Sequence, residues 1–316
     1  MLLSQDLHSA DPGNDKGLRR LGLSLVHGPP NLLQRMHNNF LLLYLGTDRF
    51  DRQRELALED MRKALPLDRT GGSADVYSYR QDILLANGLA WNPRPVFQSF
   101  QAYTPALQAL NAAHLEGSNS PQQLYFRPET IDGRLPALDD GSSWPIIRSR
   151  YEIADIAGDY AHLSRREHPV AVSMESLAPY KINFGEDLTL EDLKSAVFAQ
   201  LDIHTTLAGR LLSLLYKPPI LYIQVVTEPA SSEGRGERRE FRLIPGEAAS
   251  GFLLSPLVIS TSDFIAWMQD SKGTAVQRMS IRANWLARLA YSTPISVRLW
   301  HFSSVPVSPK PSPELK

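Results

Sequence analysis

The feature that most constrains the fold is a change of texture at Pro169. Before it, segments of strand composition alternate with segments of helical spacing. Beyond it, short stretches of alternating apolar and polar residues follow one another, with turn formers between them. Strands separated by helices tend to pair in parallel, because a crossover helix returns the chain to the starting end of the sheet. Many short strands joined by turns build two-sheet structures instead. The expected fold class is therefore α/β plus all-β: a small, mostly parallel α/β sheet domain followed by a jelly-roll-like β-sandwich domain. The expected organisation is a weakly ordered leader over 1–50, the α/β domain over 51–168, the sandwich over 169–303 and a disordered Pro-rich tail over 304–316.

Local signals set the elements. Leu56, Leu58, Met61 and Leu65 recur at helical spacing, with Asp51 as cap and Pro66 as stop, which predicts a helix over 52–65. Residues 74–79 and 122–126 read as strands, and 81–87 as a helix closed by Gly88. Residues 95–100, rich in aromatic and β-branched side chains, read as a further strand. Thr104 and Pro105 open a helix that runs to Gly117, and Ser142 or Ser143 caps a short helix through Trp144. Residues 151–156 and 160–164 make a hairpin about Gly158. In the second half, 197–203, 210–215, 220–226, 240–244 and 295–302 read as strands, 229–239 as a long hairpin loop, and Thr261, Ser262 and Asp263 as the cap of a helical turn.

Composition removes several function classes. A net charge of -1 gives no general attraction to nucleic acid. The chain has no Cys, and its 8 His show no HxH or HExxH spacing, so no metal site and no cofactor are expected. A Gly-x-Ser-x-Gly elbow is absent, and Gly234-Arg235-Gly236 lacks the third glycine of a phosphate loop. The apolar run 40–45 is too short to span a bilayer, and 211–226 is interrupted by Lys217-Pro218-Pro219. The first residues lack a basic region followed by an apolar core, so neither a signal peptide nor a transmembrane helix is expected.

Polar, aromatic and Gly/Pro residues interleave most densely between Asp75 and Asp140. These are the loops that a parallel sheet offers to ligands at the carboxyl ends of its strands. The candidate ligand-binding residues are Tyr79, Arg94, Gln98, Tyr103, Asp132, Arg134, Asp139 and Asp140. Arg forks match phosphate and carboxylate, and Tyr faces stack on sugar rings. Asp132-Gly133 and Asp140-Gly141 suit turns equally well, and Arg94 can pair with an acid of its own chain. Tyr216, Tyr222, Trp267, Trp285 and Trp300 read either as core or as a sugar-stacking platform.

Four runs carry a family resemblance: residues 75–82, 93–105, 131–141 and 251–256. Together they resemble the soluble C-terminal portion of a group of bacterial multi-pass membrane proteins that look like C-class glycosyltransferases, which use lipid-linked sugar donors. The resemblance covers roughly residues 50–302. It implies a place on the extracytoplasmic, periplasmic side of a bacterial membrane. It also implies that the catalytic acid lies near membrane helices absent from this chain, so no catalytic residue is assigned here.

Three functions are consistent with these features. The first is a non-catalytic extramembrane module that binds or positions a glycan or a lipid-linked sugar, beside a membrane-embedded partner or a missing N-terminal membrane region. The second is a soluble carbohydrate-active enzyme using Asp75, Asp132, Asp139 or Asp140 as acid and base. The third is a structural interaction protein, whose sign would be an extended apolar surface.

Overall fold

The computed structural model describes residues 48–68, 72–190, 196–229, 236–270 and 273–305. The expected leader up to residue 47, the tail from 306 and residues 230–235 of the long hairpin loop lie outside the described residues. The chain divides into two compact units, residues 1–59 and 60–316. Of the first, only the opening turns of helix α1 (Asp48–Ala64) are described. Because α1 begins at Asp48, Asp51 sits inside it rather than capping it. Of its expected apolar face, Leu56 is exposed while Leu58 and Met61 are half-buried.

In the second unit, β1 (Ser73–Tyr77), β2 (Ala90–Trp91), β3 (Gln123–Phe126), β4 (Tyr151–Ala157) and β5 (Tyr160–Arg165) form a sheet in the order β2-β1-β3-β5-β4. β1 is parallel to β2 and β3, and the β4–β5 hairpin closes the edge antiparallel. The parallel strands are joined by α2 (Gln81–Asn87) and α3 (Pro105–Glu116). The expected signals act here. Gly88 takes the left-handed conformation that ends α2, with its N–H on the Leu84 and Leu85 carbonyls. Thr104 Oγ accepts from Leu107 N at the start of α3. Helix α4 (Trp144–Arg150) lacks its expected cap, because the Ser143 hydroxyl donates to Asp140 instead.

The expected strand over 95–100 does not form. Pro93 and Pro95 remove two ladder donors, Arg94 between them is drawn into the interior, and the segment ends in a 3-10 turn over Ser99–Gln101.

The second half adds two antiparallel sheets. One has the order β11-β10-β13-β8, from β8 (Leu188–Thr189), β10 (Leu221–Thr227), β11 (Arg238–Leu243) and β13 (Val276–Ala283). The other has the order β12-β9-β14-β6, from β6 (Ala171–Ser176), β9 (Ala196–Asp202), β12 (Phe252–Ser255) and β14 (Ile295–Val305), with β7 (Tyr180–Ile182) also on β14. The alternation expected of β10 and β14 is present: Leu221, Ile223 and Val225, and Ile295, Val297 and Leu299, are buried. The expected strand over 210–215 is instead helix α5 (Leu207–Leu215), capped by Thr206, whose leucines recur at helical rather than alternate spacing. Helix α7 (Thr261–Met268) is capped by Ser260, one residue earlier than expected, in a reciprocal capping box with Asp263. No described helix is long and apolar enough to cross a membrane.

The expected boundary at 168/169 falls inside the second unit, and one apolar core crosses it. Phe264 of α7 stacks on Phe126 of β3 at 3.9 Å between ring centroids, and Trp144 meets Phe264 edge-on at 5.7 Å. Phe264 is fully buried, so Phe264→Ala should cost about 3–5 kcal/mol. Because its ring joins both halves, urea unfolding followed by far-UV circular dichroism and by Trp fluorescence should show one shared transition at a lower midpoint.

Candidate functional site

The carboxyl end of β1 is held by a buried guanidinium. Arg94 and Asp75 have fully buried side chains and pair at 2.8 Å. Arg94 Nη1 also donates to the Val76 carbonyl at 2.9 Å, and Nη2 donates to Ser99 Oγ at 2.8 Å and the Ser78 carbonyl at 3.2 Å. Its Nε faces Asp140 Oδ2 at 3.8 Å, and its Cζ lies over the Tyr77 ring, 3.6 Å from the centroid. Asp75 further accepts from Trp91 Nε1. Asp140 Oδ2 accepts from Tyr77 OH, Asn111 Nδ2 and Ser143 Oγ. One cation thus faces two carboxylates. Burial pushes the Asp140 carboxyl up to about 6, against the opposing pull of Arg94 and these donors.

A second cluster centres on Arg134. Its Nη1 donates to Glu247 Oε1 and to the Phe100 carbonyl, both at 2.8 Å, and lies 3.6 Å from Asp139 Oδ1. Glu247 belongs to the short helix α6 (Pro245–Ala248), and Asp139 also accepts from Thr130 Oγ at 2.7 Å. Burial raises Asp139 to about 6. Burial, aided by the Asp139 charge, raises Glu247 to about 9.

The structure therefore gives Arg94 and Arg134 internal partners, and Asp75, Asp139 and Asp140 as well. Tyr79 is half-buried and donates to Glu129 Oε1 at 3.1 Å. Gln98 is half-buried at the start of the 3-10 turn. Tyr103 is exposed on one side and lies under Arg134 at 5.2 Å on the other. Asp132 is exposed, has a positive φ and pairs with Arg242 at 2.9 Å. The turn reading applies to Asp132-Gly133 and to Asp140, all left-handed. Gly141 is required for another reason: a Cβ there would meet the Gly251 carbonyl at 2.3 Å.

The open space lies beside these clusters. A cleft of about 770 Å³ is bounded by the loop after β3 (Arg127, Pro128, Glu129), by the β4–β5 hairpin (Ile156, Gly158, Asp159) and by the N-terminal turns of α7 (Ser260, Thr261, Ser262, Ile265) with Gln269. Arg127, Pro128 and Glu129 also line a second, much smaller cavity of about 10 Å³ at the ends of β1 and β3. Such a space suits one water molecule or one hydroxyl group. Four residues lining it carry a buried polar atom without a hydrogen-bond partner in the protein: Ser78 Oγ, Glu129 Oε2, Asp139 Oδ1 and Trp144 Nε1. The two carboxylate oxygens have only longer ion contacts, to Arg127 and Arg134, at 3.6 Å each.

Sequence reasoning passed over Arg127 and the 260–262 hydroxyls. Arg127 directly follows β3, so its place on a βα loop was available as a signal. The hydroxyls sit more than a hundred residues further on and carried only the signature of a helix cap. Among the described residues, no group of three or more His, Asp and Glu could hold a metal ion.

Two expectations follow from the buried charges. Arg94→Ala leaves Asp75 buried without its cation and should cost about 3–5 kcal/mol in urea unfolding. Asp132→Asn, which removes the charge of an exposed pair and keeps a residue suited to the positive φ there, should cost about 1 kcal/mol or less. For Glu247, the folded protein keeps the proton up to about 9, whereas the unfolded chain releases it near the ordinary value of 4.5. The stabilisation is thus complete below that ordinary value and is lost as pH rises through the folded value. The fall in unfolding free energy from pH about 6 to about 9 should be smaller in Glu247→Gln than in the parent, read from urea titrations at both pH values.

No protein-family model matches the chain, and no curated protein matches it, so its function rests on the geometry of these loops.

Proposed function

We propose that this chain is a non-catalytic extramembrane module of a glycosyltransferase-like membrane protein, and that it binds a glycan or the sugar of a glycolipid in the cleft beside β3. We also read its two antiparallel sheets as the leaves of a jelly-roll-like sandwich that carries α7 up to the α/β sheet. The observation that carries the binding reading is the lining of the cleft. Arg127, Glu129, Asp159, Gln269 and the 260–262 hydroxyls offer donors and acceptors around apolar surface from Ile156, Ile259 and Ile265. A sugar presents the matching pattern, hydroxyls at its rim and C–H groups on its faces. The small cavity behind Glu129 suits a single inserted hydroxyl, which would meet Ser78, Asp139 and Trp144.

The non-catalytic part of the reading is supported by where the carboxylates lie. Asp75 and Asp140 are engaged by Arg94, Asp132 faces solvent on Arg242, and the cavity beside Asp139 is too small for a sugar ring. A glycosidase would need two carboxyls facing each other across the scissile bond, and the two that line the cleft, Glu129 and Asp159, are both paired with Arg127, at 3.6 and 3.5 Å.

A glycan array probed with the full chain tests this reading. Binding is expected, and Arg127→Ala and Glu129→Gln should each weaken it by about tenfold through loss of one charge-assisted hydrogen bond. Arg242→Ala, outside the cleft, should leave it unchanged. Absence of binding, or binding indifferent to both cleft substitutions, removes the site. Release of free sugar from the array would replace binding by hydrolysis.

A further inference from the structure

Helix α5 presents an apolar stripe outward. Leu207, Leu211, Leu214 and Leu215 recur on one face at i, i+4, i+7 and i+8, the spacing with which a helix normally turns toward a core. Here Leu207 and Leu214 are each 82% exposed, and Leu215 is 79% exposed. The next residue, Tyr216, is 73% exposed. Beside it, helix α8 (Trp285–Ala290) adds Trp285, also 73% exposed, and the exposed Leu289.

The stripe cannot roll inward, because the opposite face of α5 is already pinned to α8. Thr206 N and Oγ donate to the Ala290 and Leu289 carbonyls at 2.9 and 2.6 Å. At Gly209, a Cβ would stand 2.0 Å from the Ala290 carbonyl oxygen. The two helices are thus held close together with their leucines and tryptophan facing solvent. Exposed apolar surface of this extent marks an interaction site.

The charge around the patch selects its partner. Residues 203–220 and 284–294 contain Arg210, Lys217 and Arg288 and no Asp or Glu, in a chain whose net charge is -1. All three cations are exposed. Arg210 and Lys217 have no ion-pair partner among the described residues. A second copy of this face would bring like charges together, since an isologous contact sets the same patch against itself. Leucines flanked by Trp, Tyr and cations have the composition of an interfacial helix, with the aromatic rings at headgroup level and the cations on lipid phosphates. We infer that α5 and α8 form a docking surface for an anionic lipid bilayer, lying in its interface without crossing it. This goes beyond glycan binding at the cleft and does not depend on it.

Vesicle flotation of the full chain tests the surface. The probes are phosphatidylcholine vesicles and vesicles of equal parts phosphatidylcholine and phosphatidylglycerol. The chain should float with the anionic vesicles and much less with the neutral ones. Leu214→Ser combined with Leu215→Ser should lower the partition coefficient by about tenfold or more. Arg210→Glu combined with Lys217→Glu should abolish the preference for anionic lipid. Thermal melts should match the parent in both variants, because the four side chains are exposed. The inference is overturned if the chain floats with neither vesicle, or if the leucine variant floats like the parent. It is also overturned if light scattering shows an oligomer that the leucine variant dissolves while vesicle binding is absent.

Discussion

The Arg94–Asp75 pair is the interaction on which the rest of the α/β half depends. Its side chains have no access to water, and an isolated charge in that position would carry a desolvation cost of several kcal/mol. The structure offsets that cost by surrounding the guanidinium. Four of its five N–H groups reach Asp75, two β1-end carbonyls and Ser99, and the fifth faces Asp140. Those partners come from the end of β1, the turn at 99–101 and the turn before α4, and Asn111 of α3 joins them through Asp140. None of these segments can shift without uncovering a charge. Loops at the carboxyl end of a sheet are usually its most mobile part; here they are cross-linked from inside.

This explains how the residues with the most binding-like chemistry came to be unavailable. An Arg on a βα loop, among aromatics and acids, has the residue types of a phosphate or sugar site, and the sequence reads that way at Arg94 and Arg134. The same residue types also make a self-satisfied buried network. What separates the two outcomes is whether the acceptors belong to the protein. For Arg94 the main acceptor lies 19 residues away, and the X-Pro-Arg-Pro context was the visible hint, since two prolines leave few backbone donors and turn the chain sharply. For Arg134 the decisive partner, Glu247, lies 113 residues away. No local pattern carries that information.

The elements themselves were far more legible, for the same reason. The end of α2 at Gly88, the start of α3 at Thr104-Pro105, the hairpin at Gly158 and the alternation of β10 and β14 are all fixed by interactions within a few residues. At residues 95–100 a partner outside the segment overrode the local signal. Residues 95–100 have strand composition, yet Arg94 draws the chain away from the sheet edge. Residues 210–215 were expected as an alternating strand, whereas the leucines from 207 to 215 carry the period of a helix.

The helical period of 207–215 would normally mark a buried face. The chain inverts the usual arrangement twice. It places guanidinium and carboxylate groups in the interior, where burial raises the protonation range of Asp139, Asp140 and Glu247, and it places leucines and a tryptophan in solvent on α5 and α8. Neither inversion is stable without a compensating contact. In the interior the compensation is visible as hydrogen bonds from the terminal nitrogens of Arg94 and Arg134 to acceptors of the protein. On the surface the described residues supply none: Gly209 and Thr206 hold the leucines outward, so collapse onto the core is blocked by the backbone contact with Ala290. A glycine contact and a threonine cap thus fix an apolar stripe in solvent, and Arg210 and Lys217 within the α5 segment are the charges that an anionic surface would meet there.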